Sequence, residues 1–170
     1  LYRALYPLLV ITQTIPTIAI APLLVLWMGF GMAPKVTLVA LTTFFPIAVS
    51  LLEGYASTDR AAAGLLRSMG ATRWQIFRHL EFPSALSHFF SGLRVSVSYA
   101  VVGAVISEWL GGFEGLGVYM TRVKKAYAFD KMFAVIIVIV VVSLLLMALV
   151  TVLRRKACPW EAFEKIDRND

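Results

Sequence analysis

The sequence predicts an all-α integral membrane protein, a polytopic helical bundle, and three observations carry that expectation. Hydrophobic residues make up 59% of the 170 residues and charged residues only 15%, against about 25% charged in ordinary soluble domains. The mean hydropathy is +0.79. Apolar runs of about 20 residues, enough to cross a hydrocarbon core at 1.5 Å rise per residue, recur along the chain. The basic residues fall in the connections between those runs, where they set orientation rather than bind a core.

Four membrane segments are expected. The first runs from about Pro7 to Met32 and is interrupted by Pro16 and Pro22. Prolines remove backbone donors and kink or split helices in lipid, so a short helix, a break near Thr14 to Thr17 and a second helix through Trp27 are predicted. The second segment, Val36 to Leu52, contains Pro46 and closes at Glu53. In the third, Phe89 to Leu110, small residues such as Gly92, Ser96, Gly103 and Ser107 permit close approach of a neighbouring helix. The fourth, Met132 to Leu153, is nearly unbroken Val, Ile and Leu and is expected to face lipid. Residues 1–153 therefore form a membrane domain containing a polar loop, 57–85, and residues 154–170 a tail. The chain begins at Leu1, inside an apolar run and without an initiator Met, and so reads as an N-terminally truncated fragment, with no identifiable signal peptide.

Arg60, Arg67, Arg73, Arg78, Arg154, Arg155, Lys156, Lys165 and Arg168 lie in the loop 57–85 and in the tail. Lys35, Arg122, Lys124, Lys125 and Lys131 lie in the other connections. The positive-inside rule places the first set in the cytoplasm and the second outside. The net charge of +6 is thereby accounted for by topology, and no aromatic-basic readout module calls for nucleic acid. Cys158 is the single cysteine. It cannot form a disulfide within this sequence, no second cysteine makes a CxxC motif, and just beyond Arg154, Arg155 and Lys156 it should face the cytoplasm.

The loop itself has legible punctuation. Ser57, Thr58 or Asp59 can cap a helix running through Ala61, Leu65, Leu66 and Met69, with Gly70 as its left-handed terminator. Thr72-Arg-Trp-Gln75 fits a capping box that starts a second helix. On that helix Trp74, Phe77 and Leu80 share a face, Arg73 and Arg78 point elsewhere, and Pro83 is expected to end it. Two such short helices need a surface to pack on, either lipid headgroups or a partner protein.

Gly70, nine residues, then Leu80, Phe82 and Pro83 resembles the cytoplasmic signature of bacterial ABC importer permeases, whose common form is E-A-A, three residues, G, nine residues, I-x-L-P. Met69-Gly-Ala-Thr-Arg-Trp74 matches its centre, while Gly64-Leu-Leu66 stands where E-A-A is usual. Glu108-Trp-Leu-Gly-Gly-Phe-Glu-Gly-Leu-Gly117 is similar to a second segment, A-E-x…G-L-G, of the nitrate, sulfonate and taurine branch. Phe89 to Arg94 and Tyr119 to Lys125 are most similar to the permeases assigned to hydroxymethylpyrimidine, a thiamine precursor. The resemblance implies a type I ABC importer permease fold, spanning the bacterial cytoplasmic membrane, with a second permease copy, a cytoplasmic ATPase and an extracytoplasmic solute-binding protein as partners. It assigns coupling to the ATPase to Gly70, Ala71, Thr72, Arg73, Trp74, Phe77 and Pro83. No G-x-x-x-x-G-K-(S/T) occurs, so this chain is expected to be no enzyme and to bind no cofactor, with ATP held by the partner.

Among the remaining residues, Glu108 is an ionisable group at a membrane-helix end and a candidate for the translocation path. Gly111 to Gly117 is expected to be an outer turn. His79 and His88 lack the companions of a metal site, and Arg94 can snorkel. Asp130 and Lys131 fit an interfacial helix start. Phe113, Tyr119, Tyr127 and Phe129 suit the outer headgroup level. Two other classes remain compatible with the residues alone: a secondary transporter with broken helices, and a non-ABC structural subunit of a membrane complex.

Overall fold

A computed structural model describes Tyr6 and residues 16–160. All of its regular elements are helical: α1 (Thr17–Met28), α2 (Met32–Ala56), α3 (Arg60–Ser68), α4 (Arg73–Ile76), a widened π turn (Phe77–Glu81), α5 (Phe82–Gly111), α6 (Leu116–Lys125) and α7 (Phe129–Ala157). Three stretches are long and apolar enough to cross a membrane: Met32–Ala56, Arg73–Leu110 and Phe129–Ala157. The first expected segment is represented by α1, whose 12 residues are too few to span alone. Its predicted first half and most of its predicted break lie outside the described residues. Pro16 is extended at φ −61°, ψ 120°, and Pro22 sits within α1 without ending it.

The principal interface joins α2 and α5, which run antiparallel. Gly92 sits against Ser50 and the Pro46 carbonyl, and Gly103 lies by Thr42 and Val39. Ser96, almost fully buried, donates through Oγ to the Thr43 carbonyl at 2.8 Å. That bond falls beside the Thr42 carbonyl, which the ring of Pro46 deprives of its donor, and polar groups near such a break stabilise it in lipid. Helix α1 packs on α2 through Ala21, Leu24 and Leu38. Helix α7 packs on α5 through Phe90, Val150 and Cys158, with Arg154 Nη1 reaching Ser91 Oγ at 3.4 Å. Most of α7, with a mean hydropathy of 3.4, remains uncovered by the chain.

This packing gathers the α2–α5 connection and the end of α7 at one end of the bundle. Arg60, Arg67, Arg73, Arg78, Arg154, Arg155 and Lys156 lie there. Lys35, Arg122, Lys124, Lys125 and Lys131 lie at the other. Lys165 and Arg168 lie outside the described residues. Residues 154–157 form the last turn of α7.

One sequence expectation is corrected. Pro83 does not end the helix begun at Arg73: the chain continues through the π turn into the first turn of α5. In an ordinary α-helix the Pro83 ring would strike the His79 carbonyl and leave it without a donor. Here the Phe82 N–H bonds to the Phe77 carbonyl five residues back, and the wider turn makes room for the ring. The loop's second helix is thus continuous with a membrane-length helix rather than a separate short piece.

Candidate functional site

The connection between α2 and α5 is built from local chemistry first. Of the three capping candidates, Asp59 is used: its Oδ1 accepts from the Ala61 N–H at 2.8 Å. Helix α3 stops in a paired motif in which Gly70 N–H bonds to the Arg67 carbonyl at 3.0 Å and Ala71 N–H to the Leu66 carbonyl at 2.9 Å. That geometry needs a left-handed residue, and Gly70 supplies it at φ +82°. Thr72 then opens α4 with the full capping box: its N–H reaches Gln75 Oε1 at 2.8 Å, and Gln75 N–H returns to Thr72 Oγ1 at 3.4 Å. Nδ1–H of His79 donates to the Gln75 carbonyl at 2.9 Å, giving this histidine a local structural role.

The aromatic face forms as the spacing requires. Trp74 and Phe77 stack with ring centroids 5.6 Å apart at 27°, and Phe77 continues to Phe82 at 6.1 Å. Ile76, on the opposite side of α4, is buried, whereas Trp74 is 66% exposed. Leu65 and Met69 are also exposed, and α3 has no buried residue. The result is an exposed apolar ledge of Trp74, Phe77 and Phe82, on a connection where Met69, Arg60, Arg67, Arg73 and Arg78 are exposed as well. Gly70, Ala71, Thr72, Arg73, Trp74 and Phe77 come together in one turn and helix start. Pro83 lies beyond the π turn, at the root of α5.

Sequence reading missed how this loop is tied to the bundle. Ser84 Oγ donates to the Gly54 carbonyl at 3.2 Å, and Ser57 Oγ reaches the same carbonyl at 3.0 Å. Ser57 Oγ and His88 Nε2 lie 3.4 Å apart, with His88 packed directly over Gly54. The last turn of α2 and the first turns of α5 are thereby fastened to each other on either side of the loop. Only the small residues at 54, 57 and 84 signal this in the sequence, and their partners are 30 or more positions away.

At the other end, Glu108 Oε2 accepts from the Gly117 N–H at 2.6 Å. Arg122 Nη2 donates to the Phe113 carbonyl at 3.1 Å. Phe30 meets Phe113 across the α1–α2 turn at 6.4 Å. A groove of about 410 Å³ between α5, α6 and α7 is lined by Val101, Val105, Trp109, Met120, Ile136 and Val140, among others. Its walls are almost wholly apolar, so it offers a polar solute nothing to hydrogen-bond.

A bundle of antiparallel membrane-length helices with an exposed, aromatic-faced connection at one end defines a polytopic membrane protein. The chain belongs to the family described as binding-protein-dependent transport system inner membrane components, whose sequence profile matches residues 1–157. It is 44% identical over 158 residues to the formylaminopyrimidine transport permease protein of Halalkalibacterium halodurans, covering 93% of this chain and 63% of that protein. Over 162 residues it is 35% identical to the riboflavin transport system permease protein of Chloroflexus aurantiacus, covering 95% and 60%. With the taurine transport system permease protein of Escherichia coli K12 it shares 31% identity over 154 residues, covering 91% and 56%. The chain thus spans between 56% and 63% of the length of these three relatives.

Proposed function

We propose that this chain forms part of the membrane-spanning permease subunit of a binding-protein-dependent ABC importer. The helices line a translocation path together with a second copy in the bilayer, a solute-binding protein delivers the solute at the α6 end, and ATP is bound and hydrolysed by a separate cytoplasmic ATPase. The observation that supports this best is the Trp74–Phe77–Phe82 ledge, exposed on a loop that is rigid by its own caps and continuous with α5. A large aromatic surface held outside the lipid-spanning residues by so many local hydrogen bonds is suited to seat in a partner's cleft. Gly70, Ala71, Thr72, Arg73, Trp74 and Phe77 form the contact, and Pro83 with the π turn passes its displacement into α5. The Ser57–Gly54–Ser84–His88 fastening passes it to α2. Tagged full-length protein, solubilised in mild detergent, should bring down an ATPase. Recovery of the permease without one would remove the coupling reading.

In this proposal the loop 57–85 and the tail 154–170 are cytoplasmic. The Cys158 thiol is buried against Phe90 and Val150, so its silence toward an impermeant reagent would report burial as much as side. Exposed neighbours serve better. In a Cys158→Ala background, Lys125→Cys should react in intact cells with a membrane-impermeant maleimide, and Lys156→Cys should react only after the membrane is opened. The reverse pattern would invert the orientation.

For the solute, we infer a thiamine-precursor pyrimidine such as hydroxymethylpyrimidine in preference to a sulfonate-type anion. The 44% identity to a formylaminopyrimidine permease supports this, as does an aromatic, nearly neutral molecule's tolerance of a path without paired charges. The intact operon should rescue growth of a thiamine-pyrimidine auxotroph on hydroxymethylpyrimidine. Rescue of sulfonate-dependent growth alone would sink the pyrimidine assignment.

A further inference from the structure

We infer that Glu108 is a positioning residue: its carboxylate clasps the N-terminus of α6 to the end of α5, with Gly115 and Gly117 shaped to receive it. Glu108 stands on the last turn of α5, and its side chain turns back over the loop instead of outward. Gly117 is the second residue of α6, and its N–H is one of the first-turn donors that no carbonyl of the helix can satisfy. Glu108 Oε2 takes that donor at 2.6 Å, shorter than an ordinary amide hydrogen bond, as bonds to a charged acceptor tend to be, and the carboxylate also faces the positive end of the helix dipole.

The surrounding backbone is fitted to this side chain. A Cβ on Gly115 would fall on the Glu108 carboxylate, and Gly115 sits at φ +128°, where residues with side chains are strained. At Gly117 a Cβ would meet the Val105 carbonyl at 2.8 Å and Glu108 Cβ at 3.0 Å. Below the clasp, Val118 and Val123 of α6 are 8% and 5% exposed. On the far side, Arg122 ties α6 back to the Phe113 carbonyl. The charged hydrogen bond to Glu108 holds α6 to the end of α5, while Arg122 through the Phe113 carbonyl and Val118 beside Gly112 hold it to the loop that joins the two helices. The carboxylate spends an oxygen on the protein's own backbone, which argues against Glu108 as a group offered to solute. Since the clasp is a relation between residues of this chain, it stands independently of the transport reading.

The test uses the full-length protein in membrane fragments open on both faces, carrying Cys158→Ala and Val118→Cys. With the clasp intact, the buried thiol at 118 should react slowly with a soluble maleimide. Adding Glu108→Ala should speed that reaction about tenfold or more, the order expected when a charge-assisted hydrogen bond is lost. Glu108→Gln, whose amide oxygen still accepts, should stay within about threefold of the parent on the same reasoning. If the Ala variant fails to accumulate, Glu108→Asp, one methylene short of Gly117, is read on the same scale and should also react faster. Unchanged labelling in the shortened variants overturns the clasp, and so does a Gln variant as reactive as Ala. This arm needs no solute, so its failure is distinct from failure of the importer reading. Uptake of labelled hydroxymethylpyrimidine supplies the complementary readout: Gln should transport nearly as the parent does, and Ala should lose maximal rate at constant KM. A raised KM in both variants, with the thiol still protected, would instead place Glu108 on the solute.

Discussion

Trp74→Ala in the full-length protein is expected to weaken ATPase association about thirtyfold and to lower solute uptake with it, while membrane abundance stays near normal. The indole is 66% exposed in the isolated chain and stacks on Phe77 at an angle of 27°, so removing it leaves no cavity in the bundle. What is lost is an aromatic anchor for a partner, a type of contact that contributes about 2 kcal/mol or more when it is buried at an interface, equivalent to roughly thirtyfold in affinity. Gly70→Val attacks the same surface by another route. Gly70 holds φ +82°, a conformation that costs a side-chain-bearing residue about 1 to 2 kcal/mol and a β-branched one more, so the paired bonds at the end of α3 should open and the ledge should lose its fixed angle. A loop lying on lipid headgroups predicts otherwise: uptake would survive Trp74→Ala, since no partner reads that face. Co-purification and uptake measured together, in both variants, decide between the two, and normal values in both would remove the coupling role.

Gly92→Leu should have the larger effect on the bundle itself, with loss of most folded protein from the membrane. Here the constraint is approach rather than conformation. A Cβ at 92 would stand 2.8 Å from the Pro46 carbonyl oxygen and 2.7 Å from Ser50 Cβ. The first of these is backbone and has no rotamer to yield, so α2 and α5 must separate. Overpacking of this kind costs about 1 to 3 kcal/mol for modest insertions, and separation would also break the Ser96–Thr43 bond beside the Pro46 kink. Gly103→Ala is the matched control. Its Cβ would meet only side-chain atoms, Thr42 Oγ1 at 3.2 Å and Val39 Cγ2 at an ordinary 3.8 Å, which can shift, and abundance should change little. Both substitutions raise helix propensity, so equal loss in Gly103→Ala and Gly92→Leu, judged by detergent-resistant fluorescence of a fused reporter, would mean that the close backbone contact at 92 is not what limits the interface.

Several features of the loop were legible in the sequence because their partners lie within one helical turn. The Thr72–Gln75 capping box joins residues three apart, the turn at Gly70 closes on the carbonyls three and four residues before it, and the Trp74–Phe77 stack follows from helical spacing. Short-range geometry of this kind is nearly independent of the rest of the fold. The membrane-length helices α2, α5 and α7 were legible for a different reason: in lipid each segment must satisfy its own backbone, so length and composition determine the element. The two motifs in their order were enough to indicate the permease family.

Tertiary structure decided whatever depended on residues far apart in the chain. Pro83 was expected to stop a helix, and in isolation it would; the π turn that carries the chain past it into α5 joins the loop to the membrane helix as one element. Cys158 reads as a tail residue until α7 brings it against Phe90, 68 positions earlier. Glu108 reads as an unpartnered charge at a helix end until the loop folds the Gly117 N–H back onto it. For Cys158 and Glu108 the chemistry of the residue is apparent from its type, but its partner is supplied only when the chain folds back, because a hydrogen bond or a buried contact is a property of two positions and the chain states them separately.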